Sequence, residues 1–447
     1  MILVANSKQI ECNEGDLLIE VLLNNGIHVP HFCYQEDLGC DGNCRMCMVE
    51  VKGAKRPQIA CDTFVKEGME VSTISDGITG VKRNILELEL INHPVDCAIC
   101  DQAGECKLQD YYMEYGLYDS KLTTSKNKKA KAVDLGSNVI LDQERCVLCT
   151  RCVRFTDNIT KTGELGVIGR GDHSRIGTPP NQKLDNDYAM NVVELCPVGA
   201  LTSKDFRFAQ RVWFLESVES ICHGCSRGCN ITIDYNNTKY SNEKVHRFRS
   251  RRNNDINRGF LCDYGRLSYK ELNDSLDFEE SKPEEFKELL ENSVNKVALV
   301  SPSLTNEQLE SVVDFCKTKD IKLFSKQYYD NTFGDEWLKT NDKSANFYTV
   351  KRLGINIDED EFDKAIDEAE LLINFDHDYL KTRELDKKLV HFTSTTCTNN
   401  YELVYKIRNF AHEDGTVVNC DGMHQSIKST KYLDGTNSLT DILGVLR

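Results

Sequence analysis

Short apolar runs broken by turn formers open the chain. Residues 2–4 and 9–11 flank Asn6 and Ser7, which predicts a hairpin. After Gly15 the run DLLIEVLLNNG predicts a short amphipathic helix that stops at Asn25 and Gly26. Strand, strand, helix and then a cysteine-bearing loop suggest a β-grasp arrangement over residues 1–78, with a later strand delivering Cys61. Next, GVKRNILELELIN sets Val81, Ile85, Leu88 and Ile91 at near-helical spacing. Pro94 then pushes His93 out of the α region, so this helix is expected to end beside the histidine. Towards the other end, the runs VALVSPS, ELLINFD and KLVHFTST alternate with the helical patterns NEQLESVVDFCKTKD and EDEFDKAIDEAE. That alternation predicts an α/β layer with a mainly parallel sheet over residues 273–447.

With 447 residues the chain exceeds one core, and roughly three or more units are expected at about 150 residues each. A net charge of -16 repels polyanions, so nucleic acid is not an expected partner. The 20 cysteines do not fit a disulfide scaffold, because such frameworks belong to small secreted domains. The start, MILVANSKQIECNEG, has neither a basic n-region nor a long apolar core, so a reducing cytoplasm is expected. No run approaches the roughly 18 apolar residues a spanning helix needs, so direct membrane insertion is not expected.

The cysteines fall into sets. HPVDCAICDQAGEC gathers His93, Cys97, Cys100 and Cys106, which apolar periodicity does not call for and which suits an iron-sulfur site in a small helical module over residues 79–120. Before it, Cys33, Cys44, Cys47 and Cys61 are spaced C-x10-C-x2-C-x13-C with Gly42 beside the middle pair, a 2Fe-2S signature in which Cys40 is a spectator. After it, Cys146, Cys149 and Cys152 form C-x2-C-x2-C, completed by Cys196 ahead of Pro197, a ferredoxin-like 4Fe-4S pattern in residues 121–215. Cys222, Cys225, Cys229 and Cys262 form a fourth set in residues 216–272. A zinc site is the structural alternative there and, less well matched, in the first module. Cys12, Cys316, Cys397 and Cys420 are isolated and expected to be buried thiols.

HPVDCAICDQAGECKLQDYYMEYG resembles the segment with one histidine and three cysteine ligands in the large iron-sulfur subunits of NADH-quinone oxidoreductase, the bacterial G type and mitochondrial 75 kDa type of complex I. The preceding 2Fe-2S module is similar to that family's as well. The same pair of modules occurs in iron-only hydrogenases and some NAD-linked formate dehydrogenases. A two-cluster ferredoxin would need further thiols where this chain has Thr156, Asn186, Ala189 and Val192, so the third module holds one cluster. That favours the complex I type. The fourth set resembles the 4Fe-4S module that opens molybdopterin oxidoreductases. By the same resemblance the final region is a shortened molybdopterin-type fold without a molybdenum cofactor.

Fifteen cysteines and His93 thus account for one 2Fe-2S and three 4Fe-4S clusters. No flavin site, nicotinamide site, hydrogen-activating cage or catalytic acid-base pair is expected, so the chain would carry electrons and leave bond chemistry to other subunits. The resemblance implies an FMN flavoprotein that oxidises NADH, a thioredoxin-like 2Fe-2S subunit and quinone-reducing iron-sulfur subunits as partners. It also implies a peripheral place on the inner face of the cell membrane. An electron-transfer subunit of a soluble hydrogenase or formate dehydrogenase is the alternative within the class, and a zinc-stabilised scaffold the alternative outside it. The lysine-rich stretch SKLTTSKNKKAKAVD reads as a solvated linker or loop rather than a binding patch, GELGVIGRGDHSRIG as a tight loop, and the run with Arg247, Arg249, Arg251, Arg252 and Arg258 as a strand that is solvated or paired with neighbouring acids or, less readily, a docking surface.

Overall fold

In the computed structural model, which describes residues 1–116, 119, 122–236, 244–273, 276, 278–430 and 436–446, Asn6 and Ser7 both adopt the left-handed backbone, with φ of 49° and 68°. That two-residue turn twists with its flanking strands and closes the expected hairpin of β1 (Ile2–Ala5) and β2 (Lys8–Glu11), with Ala5 opposite Lys8. Helix α1 (Leu18–Asn24) is stopped by Asn25 and by Gly26 at φ 74°. Strands β3 (Met48–Val51), β4 (Gln58–Ile59) and β5 (Glu70–Ser72) complete a sheet of order β2-β1-β5-β3-β4, in which only β1 and β5 are parallel. Leu3, Ile10, Leu18, Leu22, Val49 and Val71 pack into one core that also takes in Cys47 and Cys61. A helix packed on a mixed sheet is the β-grasp arrangement, and it takes two of the expected donors into its core.

Helix α2 (Asp76–Leu90) is capped by Ser75, whose hydroxyl accepts the Ile78 N–H at 3.3 Å. Its buried face is Ile78, Lys82 and Leu86, whereas Leu88 is 67% and Ile91 40% exposed, so the face read from apolar spacing is not the one that packs. A lysine occupies the buried row because its ammonium reaches the Thr73 carbonyl at 2.8 Å. Burial lowers the Lys82 pKa from 10.5 to about 8, against the raising charge of Glu114. Below pH 8 the fold therefore holds a proton at a cost the unfolded chain does not bear. Stability should rise with pH between about 8 and 10.5, where the unfolded chain binds the extra proton. Lys82→Met is expected to raise the urea stability by about 2 kcal/mol at pH 7, net of the carbonyl left without its donor, and the gain should shrink towards pH 10. A gain independent of pH would refute this assignment.

The rest of the first compact unit, Met1–Trp213, comprises α3 (Lys107–Tyr115), β6 (Val133–Asp134), β7 (Val139–Leu141), α4 (Arg151–Arg154), β8 (Gly166–Ile168), β9 (Arg175–Gly177), α5 (Asn191–Leu195) and β10 (Leu201–Ser203). The glycine-rich stretch is a β8–β9 hairpin, made possible by Gly169 and Gly171 at φ 81° and 60°. The lysine-rich stretch is a largely exposed loop, as expected, and several of its lysines anchor it. Lys126 donates to the carbonyls of Leu90, at 2.8 Å, and His93, Lys129 to Ser174 O at 2.6 Å, and Lys131 pairs with Glu144 at 2.8 Å and Asp142 at 3.3 Å. Residues 120 and 121 of that stretch lie outside the described residues.

The second unit, Phe214–Arg447, begins with an antiparallel meander of β11 (Leu215–Ile221), β12 (Asn230–Asn236) and β13 (Val245–Ser250). Here the arginine run meets acids. Asp234, on the middle strand, accepts from Arg247 Nε at 2.7 Å and from Arg249 Nε and Nη2 at 2.7 and 2.9 Å. Burial alone would raise the pKa of this carboxylate, but the Arg249 hydrogen bonds and both guanidinium charges hold it below 3.8. Its contribution is present above that value and lost as pH falls through the lower folded value. Asp234→Asn is expected to cost about 2 kcal/mol at pH 7, a difference that narrows as acidity rises below pH 3.8 and is read from paired urea titrations.

Then follow α6 (Asp263–Leu267), α7 (Pro283–Asn292), β14 (Lys296–Val300), α8 (Asn306–Thr318), β15 (Lys322–Phe324), α9 (Phe347–Arg352), α10 (Glu359–Glu368), β16 (Leu371–Phe375), α11 (Asp378–Lys381), β17 (Lys388–Thr393), β18 (Leu403–Lys406), β19 (Gly415–Val418), β20 (His424–Ile427) and α12 (Leu439–Leu446). The sheet β15-β14-β16-β17-β18 is wholly parallel, as the alternating pattern implied, and its central strands are buried on both faces. Of the four isolated cysteines only Cys316 is buried. Cys12 and Cys397 are half-buried, and Cys420 is exposed on the turn after β19, its N–H donating to Ser226 O at 2.8 Å. Among the described residues no helix is long and apolar enough to cross a membrane.

Candidate iron-sulfur centres

The four cysteines of the first set are buried. Cys33 and Cys44 lie on the loop between α1 and β3, Cys47 directly before β3, and Cys61 on a 3-10 turn directly after β4. The pairing of β3 with β4, Met48 opposite Ile59, brings the last two together, and their sulfurs are 3.3 Å apart. The Cys33 N–H donates to Cys44 Sγ at 3.5 Å. Cys33 also approaches Cys61, so the loop gathers all four thiols into one cluster. Cys40 Sγ also lies 3.3 Å from Cys61 Sγ.

At the second set α2 ends before His93, Cys97 begins a 3-10 turn, and Cys106 is the N-cap residue of α3. All four side chains line one cavity of ≈ 40 Å³, closed by Leu90, Ala103, Leu108 and Tyr112. His93 Nδ1 faces no hydrogen-bond partner although it is buried. Burial, with Lys126 and Arg145 nearby, lowers the His93 pKa to about 4 against the opposing charge of Asp96, so the imidazole is neutral with a free lone pair, the state a ligand needs. Burial also pushes the Cys106 thiol up to about 11, so binding a cation there would release a proton. Gly199 is required at this wall, since a Cβ would sit 2.3 Å from Cys100 Sγ. Arg145 grips Asp96 through Nε and Nη2 at 3.0 and 2.8 Å, and Arg211 donates to the Cys100 and Ala98 carbonyls at 2.6 and 2.8 Å.

The third set repeats this construction. Cys146, Cys149, Cys152 and Cys196 line a cavity of ≈ 10 Å³ walled by Leu141, Ile176, Val198 and Leu201. Leu148 and Thr150 take φ of 52° and 59° so that the C-x2-C-x2-C run can wrap, and burial pushes Cys149 up to about 12. Thr156, in the place of a further cysteine, is fully buried and bonds Val153 O at 2.9 Å. At the fourth set all four thiols are buried, and Cys222 and Cys262 meet over Gly265, where a Cβ would come 2.8 and 3.4 Å from their sulfurs. Among the described residues no three His, Cys, Asp or Glu side chains close around a single metal ion.

Spacing did not reveal what locks the first and third sets together. Arg154 on α4 donates to the carbonyls of Leu38, Gly39 and Cys33, and Arg151 to those of Leu195 and Tyr34. Asn43 Nδ2 reaches Leu148 O at 2.9 Å and Thr150 Oγ1 reaches Asp41 at 2.9 Å. The available signal was two arginines flanking Cys152 in an acidic chain.

Each donor set falls within one matched family. Residues 3–76 match the 2Fe-2S iron-sulfur cluster binding domain, 82–121 the NADH-ubiquinone oxidoreductase-G iron-sulfur binding region, 136–202 the NADH-quinone oxidoreductase subunit 3 ferredoxin-like domain, and 215–274 the molybdopterin oxidoreductase Fe4S4 domain. The G subunit of Rickettsia felis NADH-quinone oxidoreductase is 37% identical over 267 residues, 60% of this chain and 39% of that protein. Over that span this chain is similar to the G subunits of NADH-quinone oxidoreductase. The 75 kDa subunit of Reclinomonas americana NADH-ubiquinone oxidoreductase is likewise 37% identical over 263 residues, 59% of this chain and 37% of that protein. The chain spans about two fifths of the length of these curated relatives. A chain of a solved NAD+-reducing [NiFe]-hydrogenase is 29% identical, with a TM-score of 0.43, covering 47% of this chain and 90% of that one. The matched models describe 2Fe-2S and 4Fe-4S cluster domains along a mixed α/β chain.

Proposed function

We propose that this chain is an electron relay of an NADH-quinone oxidoreductase, holding one 2Fe-2S cluster on Cys33, Cys44, Cys47 and Cys61 and three 4Fe-4S clusters. The latter sit on His93, Cys97, Cys100 and Cys106; on Cys146, Cys149, Cys152 and Cys196; and on Cys222, Cys225, Cys229 and Cys262. The modules are residues 1–78, 79–120, 121–215, 216–272 and the α/β layer 273–447. The observation that carries the reading is the buried, unpartnered Nδ1 of His93 in a cavity shared with three thiols. A bound cluster supplies one-electron exchange. The polypeptide excludes water with apolar walls, orients the thiols through turns and strand pairing, and places arginines and lysines beside the sites.

In this reading electrons arrive from an FMN flavoprotein that oxidises NADH, with a thioredoxin-like 2Fe-2S subunit beside it, and leave towards quinone-reducing iron-sulfur subunits. The chain sits peripherally on the inner face of the membrane through those partners and has no bond-making site of its own. The final layer is a molybdopterin-type fold, and the cavity of ≈ 180 Å³ at the carboxyl ends of β14 and β16, walled also by His223 and Tyr264, is small for a bis-pterin cofactor. Iron and acid-labile sulfide analysis of anaerobic protein, with EPR after dithionite, tests the reading. About 14 irons are expected. A colourless protein containing zinc in place of iron and sulfide would establish the scaffold instead.

A further inference from the structure

Beside the four donors of the 2Fe-2S module stands a further thiol, Cys40. Cys40 Sγ lies 3.3 Å from Cys61 Sγ, the same distance that separates Cys61 Sγ from Cys47 Sγ. Four tetrahedral thiolates at about 2.3 Å from one metal stand a little under 4 Å apart, so a sulfur this close to Cys61 is within reach of the same iron. The remaining thiols are near too, since Cys33 and Cys47 both lie close enough to Cys40 to act on it electrostatically, as does Asp62. Access is open: Cys40 is half-buried, and Gly42, at φ 69°, leaves free the space beside its sulfur, where a Cβ would stand 3.7 Å away. On the other flank Gly39, at φ 71°, would carry a Cβ with nothing within 4 Å of it, so both glycines near the thiol are set in a conformation that side chains rarely adopt.

We propose that Cys40 is a reserve ligand of the 2Fe-2S site, able to take the iron position of Cys61. The inference rests on the assignment of that cluster to Cys33, Cys44, Cys47 and Cys61. In the exchange the Fe–S bond to Cys61 breaks and one to Cys40 forms, while the proton leaving the Cys40 thiol is taken up by the Cys61 thiolate. Iron keeps its oxidation state, and no oxidant or reductant takes part. Where residue 61 offers no thiol, the Cys40 proton goes to solvent during assembly.

The test uses the full chain, assembled anaerobically with iron and sulfide, reduced with dithionite and examined by EPR at a temperature where 4Fe-4S signals are broadened and the 2Fe-2S signal stays sharp. Cys61→Ala is expected to retain at least half of the wild-type 2Fe-2S spin intensity with shifted g values. Cys61→Ala with Cys40→Ala should fall at least fivefold below that, whereas Cys61→Ala with Cys12→Ala, which removes a thiol elsewhere in the module, should match the single variant. The 4Fe-4S signals of the same samples, recorded colder, report folding. Equal loss in the single and double variants with those signals intact overturns the proposal. Should Cys61→Ala fail to fold, Cys61→Ser decides by resonance Raman: iron-sulfur stretches of all-cysteine type that disappear with Cys40→Ala support it, and a serine-oxygen-ligated spectrum unaffected by Cys40→Ala overturns it. A wild-type chain without any 2Fe-2S signal would remove the underlying cluster assignment, a failure distinct from loss confined to the Cys61 variants.

Discussion

Replacing Arg154 with methionine is expected to lower the stability of the first unit by about 4 kcal/mol, among the largest effects of any single substitution outside the cluster ligands. The guanidinium is the shared donor of three carbonyls on the 2Fe-2S loop, with Nη1 at 3.1 Å from Leu38 O and 2.9 Å from Gly39 O, and Nη2 on Cys33 O. Its Nε turns back to Thr150 Oγ1 at 3.3 Å, so the side chain is pinned to its own helix while it holds the loop. Methionine keeps much of the apolar stem but removes every donor. The Cys33 and Leu38 carbonyls then lose this donor and Gly39 O keeps only the Gln35 N–H at 3.4 Å, each loss costing about 1–3 kcal/mol, partly recovered by water. Lysine should rescue less than half, because one ammonium cannot reproduce a planar fork that spans three acceptors. Urea titration of the assembled chain, followed through the visible absorption of the clusters, is the measurement. A loss under about 1 kcal/mol would mean that the Asn43 and Thr150 contacts hold the two modules without it.

That clamp marks the boundary of what the sequence could show. Cysteine spacing is a local signal, because turns and short loops hold C-x2-C thiols near one another whatever the rest of the chain does, and so Cys97 with Cys100 and Cys146 with Cys149 and Cys152 could be grouped by eye. His93 and Cys106 could be added because Pro94 ends a helix and Gly104 loosens the loop on the other side. The alternating pattern likewise carried β14, β16 and β17, whose apolar runs have no solvent face to confuse. What failed was everything set by distant partners. The packed face of α2 is chosen by the chain just past the central strand β5, where the Thr73 carbonyl takes the Lys82 ammonium, and a hydrophobicity pattern counts lysine as a surface residue. The lysine-rich stretch is the exposed loop its composition suggests, but its anchors, the end of α2 and the acids Asp142 and Glu144, lie elsewhere in the chain and left no local signal. Gly199 has the look of an ordinary loop glycine in the sequence, and only the approach of Cys100 gives it a role.

Converting His93 to cysteine is expected to lower the midpoint potential of its cluster by roughly 100–200 mV, which is about 2–5 kcal/mol for a one-electron couple. The argument is electrostatic. A neutral imidazole is exchanged for a thiolate, so the site gains one negative charge in both oxidation states, and the added electron meets one more unit of repulsion in a cavity closed by Leu90, Ala103 and Leu108. The sign of the change follows from that charge alone. Its size is moderated by the cations already present. Lys126 is fixed over the His93 carbonyl, and Arg145 stands beside the loop on Asp96, so both would screen the new thiolate as they favour the reduced cluster now. Removing those charges should therefore act in the same direction as the substitution. Lys126→Met in the wild-type background is expected to lower the potential by tens of millivolts, and combined with His93→Cys it should lower it further than either alone. EPR-monitored redox titration of the assembled chain measures all four forms. An unchanged or raised midpoint in His93→Cys would show that the imidazole does not ligate the cluster, and the unpartnered Nδ1 would then need another explanation.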